Sequence, residues 1–361
     1  MQDITARSNR WLSPELAADP GWIFPLDADA SRDIAKATQS AMRAGKSLLD
    51  YRREDFDFGS AAAALEQAFR QAKHGRGMSL VRNLPRDLLS EHEYELMTWG
   101  IGLHQGVARP QGKGSQYISP VRDVGVDYRS ATGRGYSSNS ELDYHTDRSD
   151  VIVLSCYNKA ASGGMSMVVS TAAAYDRFAE RHPQLVEYLR RPVHFSRQGE
   201  SRPGQEPTFV HPVVTEAGGR RFVRWNRNRA RTAQDLPGIP RMDPEHWKVM
   251  DLFDQVLHEP DIEYTMYLQP GDMQILDGNA TLHARTDYVD DPANKRLMFR
   301  LWLSTPDSVL LPESWTGVYG AVAPGAVRGG IPGNAYDDAC RAFDRRQAQA
   351  CGMTYDPDAL P

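Results

Sequence analysis

Residues 141–157 read ELDYHTDRSDVIVLSCY. The run 151–157 is apolar and of strand length, the pattern of a strand buried on both faces. His145 and Asp147 precede it, two residues apart. Side chains on an extended chain alternate with period two, so this imidazole and this carboxylate point to the same side. His283, in the downstream string TLHART, offers a third ligand from a distant strand. Two imidazoles and one carboxylate on one face of a divalent cation leave its other positions open. The plainer alternatives are a histidine hydrogen-bonded to a nearby acid at a strand end and, for His283, a satisfied core histidine.

Working outward, short strands dominate. Residues 78–84 form one, ended by Pro85; 165–171 form another, entered through Gly163 and Gly164. Ile262, Tyr264, Met266 and Leu268 alternate, the turn QPGD leads into 273–276, and 297–303 is the last clear strand. Helices are expected at 31–49, 60–73 and 183–190. Ser90 and Glu93 form a capping-box pattern that opens a helix to about Trp99. Asp243 and Pro244 open another, whose Trp247, Met250, Phe253 and Leu257 make a core face. The first thirty residues read as an irregular arm, 102–134 as loop, and 221–228 as a basic strand.

This pattern predicts a mainly β chain with helical decoration around a double-sheet jelly-roll core. Residues 1–77 are an N-terminal arm and helices packed on a core at 78–305, which carries a helical and loop insertion at about 175–260. Residues 306–361 form a C-terminal extension. Its Gly- and Pro-rich stretch 319–334 is either a cover over the site or a packed surface loop.

The 361 residues, 40% hydrophobic and 25% charged, suit a globular protein with a sizeable core. A net charge of −5 and a pI near 6.1 argue against nucleic acid as partner. No apolar run approaches the roughly 18 residues of a membrane span, and MQDITARSNRW lacks the basic and apolar regions of a signal peptide. Three cysteines without a CxxC pair exclude a disulfide framework and a thiolate zinc site, so a reducing cytoplasm is expected. Cys156 reads as a small core hydrophobe. Oligomeric state is left open, a homo-oligomer included.

The strings YHTDRSDVIVLSC, SGGMSMVVS, LQPGDMQIL, NATLHART and KRLMFRLWLS resemble, in order and spacing, the taurine dioxygenase and clavaminate synthase superfamily. The HART string is closer to the clavaminate-synthase-like branch. The resemblance runs from about residue 78 to 304 and also takes in GAVRGGIPGN. It implies a double-stranded β-helix that uses Fe(II), 2-oxoglutarate as co-substrate and O2. The reaction implied is hydroxylation, or another oxidation, of an unactivated C–H bond of a small molecule, with release of succinate and CO2. Carried onto this chain, the resemblance makes His145, Asp147 and His283 the iron ligands. Arg296 then holds the distal carboxylate of 2-oxoglutarate through two parallel hydrogen bonds, which Lys cannot match. Arg300, on the same strand face, reaches toward the substrate or the iron-bound end of the oxo acid. Ser166, in Gly163-Gly164-Met165-Ser166, adds a hydroxyl to the distal carboxylate, with Ser170 and Thr171 as alternatives. Asp147 stands where halogenating relatives carry a small residue, so oxygen transfer is expected.

Substrate residues are sought where relatives border the pocket, at Asn139 and Tyr117. Arg224, Asn226 and Arg227 of RFVRWNRN would suit an acidic or zwitterionic substrate; the alternative is a solvated basic strand. Trp225 and Trp302 are assigned to the core. The branch resemblance points to an amino-acid-like molecule or a natural-product intermediate. Two rivals stand beside this reading. A zinc-dependent hydrolase on the same three ligands has no use for Arg296. A non-catalytic metabolite-binding jelly roll has no use for open metal positions.

Overall fold

The computed structural model describes residues 9–125, 137–202 and 204–361. Eight antiparallel strands make the core: β1 Ile118–Val121, β2 Leu142–His145, β3 Val151–Asn158, β4 Ser166–Ser170, β5 Tyr264–Met266, β6 Met273–Asp277, β7 Thr281–Arg285 and β8 Leu297–Ser304. The major sheet runs β1-β8-β3-β6 and the minor sheet β2-β7-β4-β5. The chain therefore crosses between sheets at every step except β4 to β5, where the insertion intervenes. That is a double-stranded β-helix. Met78–Arg82 extends the major sheet beyond β6, and Ile23–Pro25 pairs parallel beyond that.

Strand alternation sorts the side chains into three layers. Val151, Val153, Phe299 and Leu301 leave the major sheet outward, under the N-terminal helices. Ile152, Cys156, Met298 and Trp302 point between the sheets. Tyr144, Val169, Leu282 and Ala284 leave the minor sheet outward and meet Phe178, Trp225 and Phe253 of the insertion. Full burial of such a side chain stabilises by about 1.5–3 kcal/mol. With both outer faces covered, polar residues on the inner faces can be confined to one end of the barrel.

Several elements differ from expectation. The first thirty residues are ordered where described: Ser13–Ala18 is helical, and Trp11 and Trp22 are buried. The helix expected at 31–49 is Ala28–Arg43, opened by the Asp27 cap and followed by Gly45 at φ 62°. β1 lies within the stretch read as loop. It pairs with β8 at the sheet margin, where Pro120 needs no N–H for the ladder. The basic segment divides into the strand Arg220–Val223 and the helix Arg227–Ala233, capped by the Asn226 side chain. No described helix is long and apolar enough to cross a membrane.

The helix opened by Ser90 runs Glu91–Gln105, past Trp99, with its capping box formed. Gly100 and Gly102 are why it can continue. A Cβ on Gly102 would lie 2.2 Å from Leu301 Cδ2, and one on Gly100 would lie 2.5 Å from the Phe56 ring. These positions are contact points between helix and core. Gly102→Ala is therefore expected to destabilise by about 1–3 kcal/mol through overpacking, despite alanine's higher helix propensity. Denaturant unfolding measures this, and a stabilised variant would show that the helix stands off the strand.

Candidate metal centre

The register of the minor sheet puts His145, the last residue of β2, directly opposite His283 on β7. Their ring centroids are 4.2 Å apart. After His145 the chain stays extended, because Thr146 N donates to Trp225 O at 2.9 Å. Asp147 therefore comes round to the same side. Its Oδ1 lies 3.7 Å from His145 Nε2 and its Oδ2 3.7 Å from His283 Nε2. One donor atom from each of the three residues falls within 4.8 Å of the others, close enough for a single cation.

The surroundings set the protonation that a cation needs. Burial opposes ionisation of Asp147, but Arg300, the two histidines and the Trp302 N–H outweigh it and hold the carboxyl at about 2. Burial lowers His145; burial and the neighbouring His145 push His283 down to about 3. Two neutral imidazoles thus face one carboxylate at neutral pH. His145 Nδ1 sits 3.0 Å from Asp143 O, an arrangement in which Nδ1–H donates and the Nε2 lone pair is left for metal. Asp147 Oδ2 accepts from Trp302 Nε1 at 2.8 Å, and Arg300 Nη1 lies 3.5 Å away. Arg300 is fixed in turn by Gln111 Oε1 at 2.8 Å. The donor set fits Fe(II), with the remaining positions open to a chelating co-substrate.

A cavity of about 60 Å³ leads away from His145 and His283 between the sheets. Arg296, Ser166 and Gln274 line it. Arg296 is 3% exposed, yet among the described residues its Nε and Nη1 have no hydrogen-bond partner. Its Nη2 meets the Met298 sulfur at 3.0 Å, and the Tyr288 ring lies 5.0 Å off. Gly164, at φ 71°, passes close by: a Cβ there would lie 3.5 Å from Arg296 Nε. Ser166 Oγ and the Gln274 amide exchange hydrogen bonds at 3.1–3.2 Å.

Other candidates are placed elsewhere. Ser170 caps the helix Thr171–Arg181 and donates to Asn9 O, and Thr171 Oγ1 donates to Ala280 O, so both hydroxyls are committed to structure. Tyr117 is turned into the core, where its hydroxyl donates to Asp344 at 3.2 Å. Arg227 faces away and pairs with Asp251 and Asp254 of the helix Pro244–Leu257. Asn226 caps its helix through Arg229 N at 3.0 Å, while its backbone bridges to His145. Asn139 is exposed, with its carbonyl accepting from Tyr288 N. Arg224 is buried beside the centre, its Nη1 3.5 Å from Asp147 O. Trp225 is core as expected. Trp302 is core and also a direct partner of Asp147, a role signalled only by its place two residues beyond Arg300. Gln274 was missed; a lone amide in the apolar string MQIL was its one cue.

The Trp302 bond fixes the orientation of a metal ligand, and loss of such outer partners costs about 10–100-fold in metal affinity. Trp302→Phe keeps most of the ring volume and removes the donor. Anaerobic titration with Co(II) is expected to show weakening in that range, whereas unchanged affinity would mean that Arg300 alone orients Asp147.

Residues 42–302 match the sequence profile described as taurine catabolism dioxygenase TauD, TfdA family. The chain is 29% identical over 318 residues to FR-33289 synthase of Streptomyces rubellomurinus (strain ATCC 31215), covering 86% of this chain and 93% of that protein. Its fold is similar to asparagine oxygenase solved with Fe(II), 2S,3S-3-hydroxyasparagine and succinate, at TM-score 0.60 and 15% identity over 81% of this chain and 98% of that one. It is also similar to the non-heme iron oxygenase OrfP solved with Fe and alpha-ketoglutaric acid, at TM-score 0.57 and 14% identity over 78% and 94%. With its three metal ligands converging inside a jelly roll, the chain belongs to the TauD, TfdA family and is a non-haem Fe(II)- and 2-oxoglutarate-dependent oxygenase.

Proposed function

We propose that Arg296 receives the distal carboxylate of 2-oxoglutarate, with Ser166 and Gln274 as neighbouring hydrogen-bonding groups. The observation that carries this reading is the Arg296 guanidinium itself, buried with two nitrogens unbonded in the lining of the cavity that His145 and His283 also line. An unpaired buried charge is costly. A carboxylate would supply both the countercharge and two acceptors matched to the fork of a guanidinium. A dicarboxylic oxo acid could then reach from Arg296 to the metal with its other end. The hydrolase rival leaves this arginine unexplained.

Bound Fe(II), with 2-oxoglutarate and O2, supplies the oxidation that converts a C–H bond to C–OH as the oxo acid becomes succinate and CO2. The chain's own part is positional. His145 and His283 present neutral Nε2 atoms. Trp302 and Arg300 hold the Asp147 carboxylate between them. Val121, Leu154 and Leu268 give the cavity between the two sheets an apolar wall.

The substrate is a small molecule. Within that class we place it among natural-product intermediates or amino-acid-like molecules, supported by the likeness to FR-33289 synthase. Cytoplasmic residence is supported by three free cysteines, with the Cys156 thiol pushed up to about 12 by burial. Self-association stays compatible with this reading.

Anaerobic addition of Fe(II) and 2-oxoglutarate is expected to give a weak visible charge-transfer band. Arg296→Ala should weaken 2-oxoglutarate binding about a hundredfold, as expected when one partner of a buried charged pair is lost. Asp147→Ala should abolish the band. An Arg296→Ala enzyme that binds 2-oxoglutarate as tightly as the parent would overturn the assignment.

A further inference from the structure

Gln111 lies in the stretch ARPQGKGSQY, just ahead of β1, and is 1% exposed. Its backbone closes a tight hairpin. Gln111 N donates to Gln116 O at 2.7 Å, and Gly112 at φ 72° and Ser115 at φ 50° turn the chain between them. The C-terminal extension holds this hairpin from outside. Ile331 N donates to Pro110 O at 2.7 Å, and Gly333 N donates to Ser115 Oγ at 3.0 Å.

A buried glutamine has to spend its amide on partners, and this one spends it on Arg300. Nε2 donates to Tyr117 O and to Arg300 O, each at 3.1 Å, and Oε1 accepts from Arg300 Nε at 2.8 Å. Turning the amide over would set its oxygen against two carbonyls and its nitrogen against a guanidinium N–H. Its orientation is therefore forced. One side chain thus grips both the backbone and the guanidinium of the same arginine. The grip is anchored, because the Tyr117 hydroxyl donates to Asp344 and Ser119 of β1 lies in register with Arg300.

The other end of that guanidinium meets a metal ligand. Arg300 Nη1 lies 3.5 Å from Asp147 Oδ2, the oxygen that also accepts from Trp302 Nε1. A direct guanidinium–carboxylate hydrogen bond is about 2.7–2.9 Å long, as between Arg109 and Asp344 at 2.7 Å. At the longer distance the charge still favours an ionised carboxylate, yet the oxygen keeps a lone pair for a cation. We propose that Gln111 is a positioning residue of the metal centre, which holds Arg300 at this stand-off from Asp147. The proposal rests on the assignment of His145, Asp147 and His283 as metal ligands. Without the Gln111 carbonyl, Arg300 can close on Asp147 and compete with the metal for it. A residue on neither ligand strand would then decide how available the carboxylate is.

The test is a double-mutant cycle read by anaerobic Co(II) titration of the parent, Gln111→Met, Arg300→Met and the double variant. Gln111→Met is expected to lower Co(II) affinity about tenfold or more, the cost of losing an outer partner of a metal site. In the Arg300→Met background the same substitution should change nothing. A residue that only props up its loop would lower affinity equally in both backgrounds, and that result would overturn the proposal. So would unchanged affinity in Gln111→Met. Gln111→Asn, which keeps the amide but is one methylene shorter, covers the case in which Gln111→Met does not fold. Its visible Co(II) bands should move away from the parent's, and parent-like bands would count against the proposal. The two readings fail separately. A normal Fe(II)–2-oxoglutarate charge-transfer band with additive losses sinks the Gln111 role alone. Co(II) binding with the expected coupling but no such band sinks the oxygenase reading and keeps the role.

Discussion

The pairing of His145 with His283 across β2 and β7 is the constraint on which the site depends. Strand side chains alternate, so a slip of one residue would carry either histidine from the interior to the face that packs on Phe178 and Phe253. β7 is held against such a slip from both sides. It pairs with β4 from Thr281 opposite Ser170 to Arg285 opposite Ser166, while β2 holds it on the other edge. The same alternation puts Tyr144, Leu282 and Ala284 into apolar contact with the insertion. Packing on the outer face of the minor sheet thereby fixes what the inner face presents.

Asp147 lies beyond the last ladder pair of β2 and needs other restraints. Thr146 ties the chain to Trp225. Gly330 N donates to Arg148 O at 2.7 Å, and Arg328 grips Asp150 while its Nη1 donates to Val309 O. Residues 306–361 thus reach the site from behind, through Tyr319 and residues 328–330 against the metal loop. The glycine-rich string of that extension permits the contact. A Cβ on Gly329, at φ 74°, would stand 2.3 Å from Arg148 O.

The sequence made much of this legible wherever periodicity or capping is local. β3, β4, β6 and β8 were readable from their apolar runs, and the caps at Ser90 and Asp243 from residue type. The three metal ligands were legible as a candidate set from the spacing of His145 and Asp147, and it was the family resemblance that assigned them, with His283, to iron. Features that depend on what lies opposite were hidden. β1 carries a proline that only an edge position tolerates, and Gly100 and Gly102 look like helix breakers until Phe56 and Leu301 are seen against them. Arginines were the hardest to assign. Arg296, Arg300, Arg227 and Arg328 are alike in sequence and differ only in partners: unbonded nitrogens, a metal ligand, two surface acids and a buried aspartate.

The reliance of the metal loop on residues 328–330 has a consequence for biosynthesis. Every strand of the barrel and all three metal ligands leave the ribosome before Arg328 does. Until Arg328 and Gly330 arrive, Asp150 lacks its countercharge and Arg148 O lacks its donor. The nascent barrel can pair its strands while the loop bearing Asp147 is still unclamped. The loop that bears Asp147 gains its last clamps only after every strand of the barrel has been synthesised.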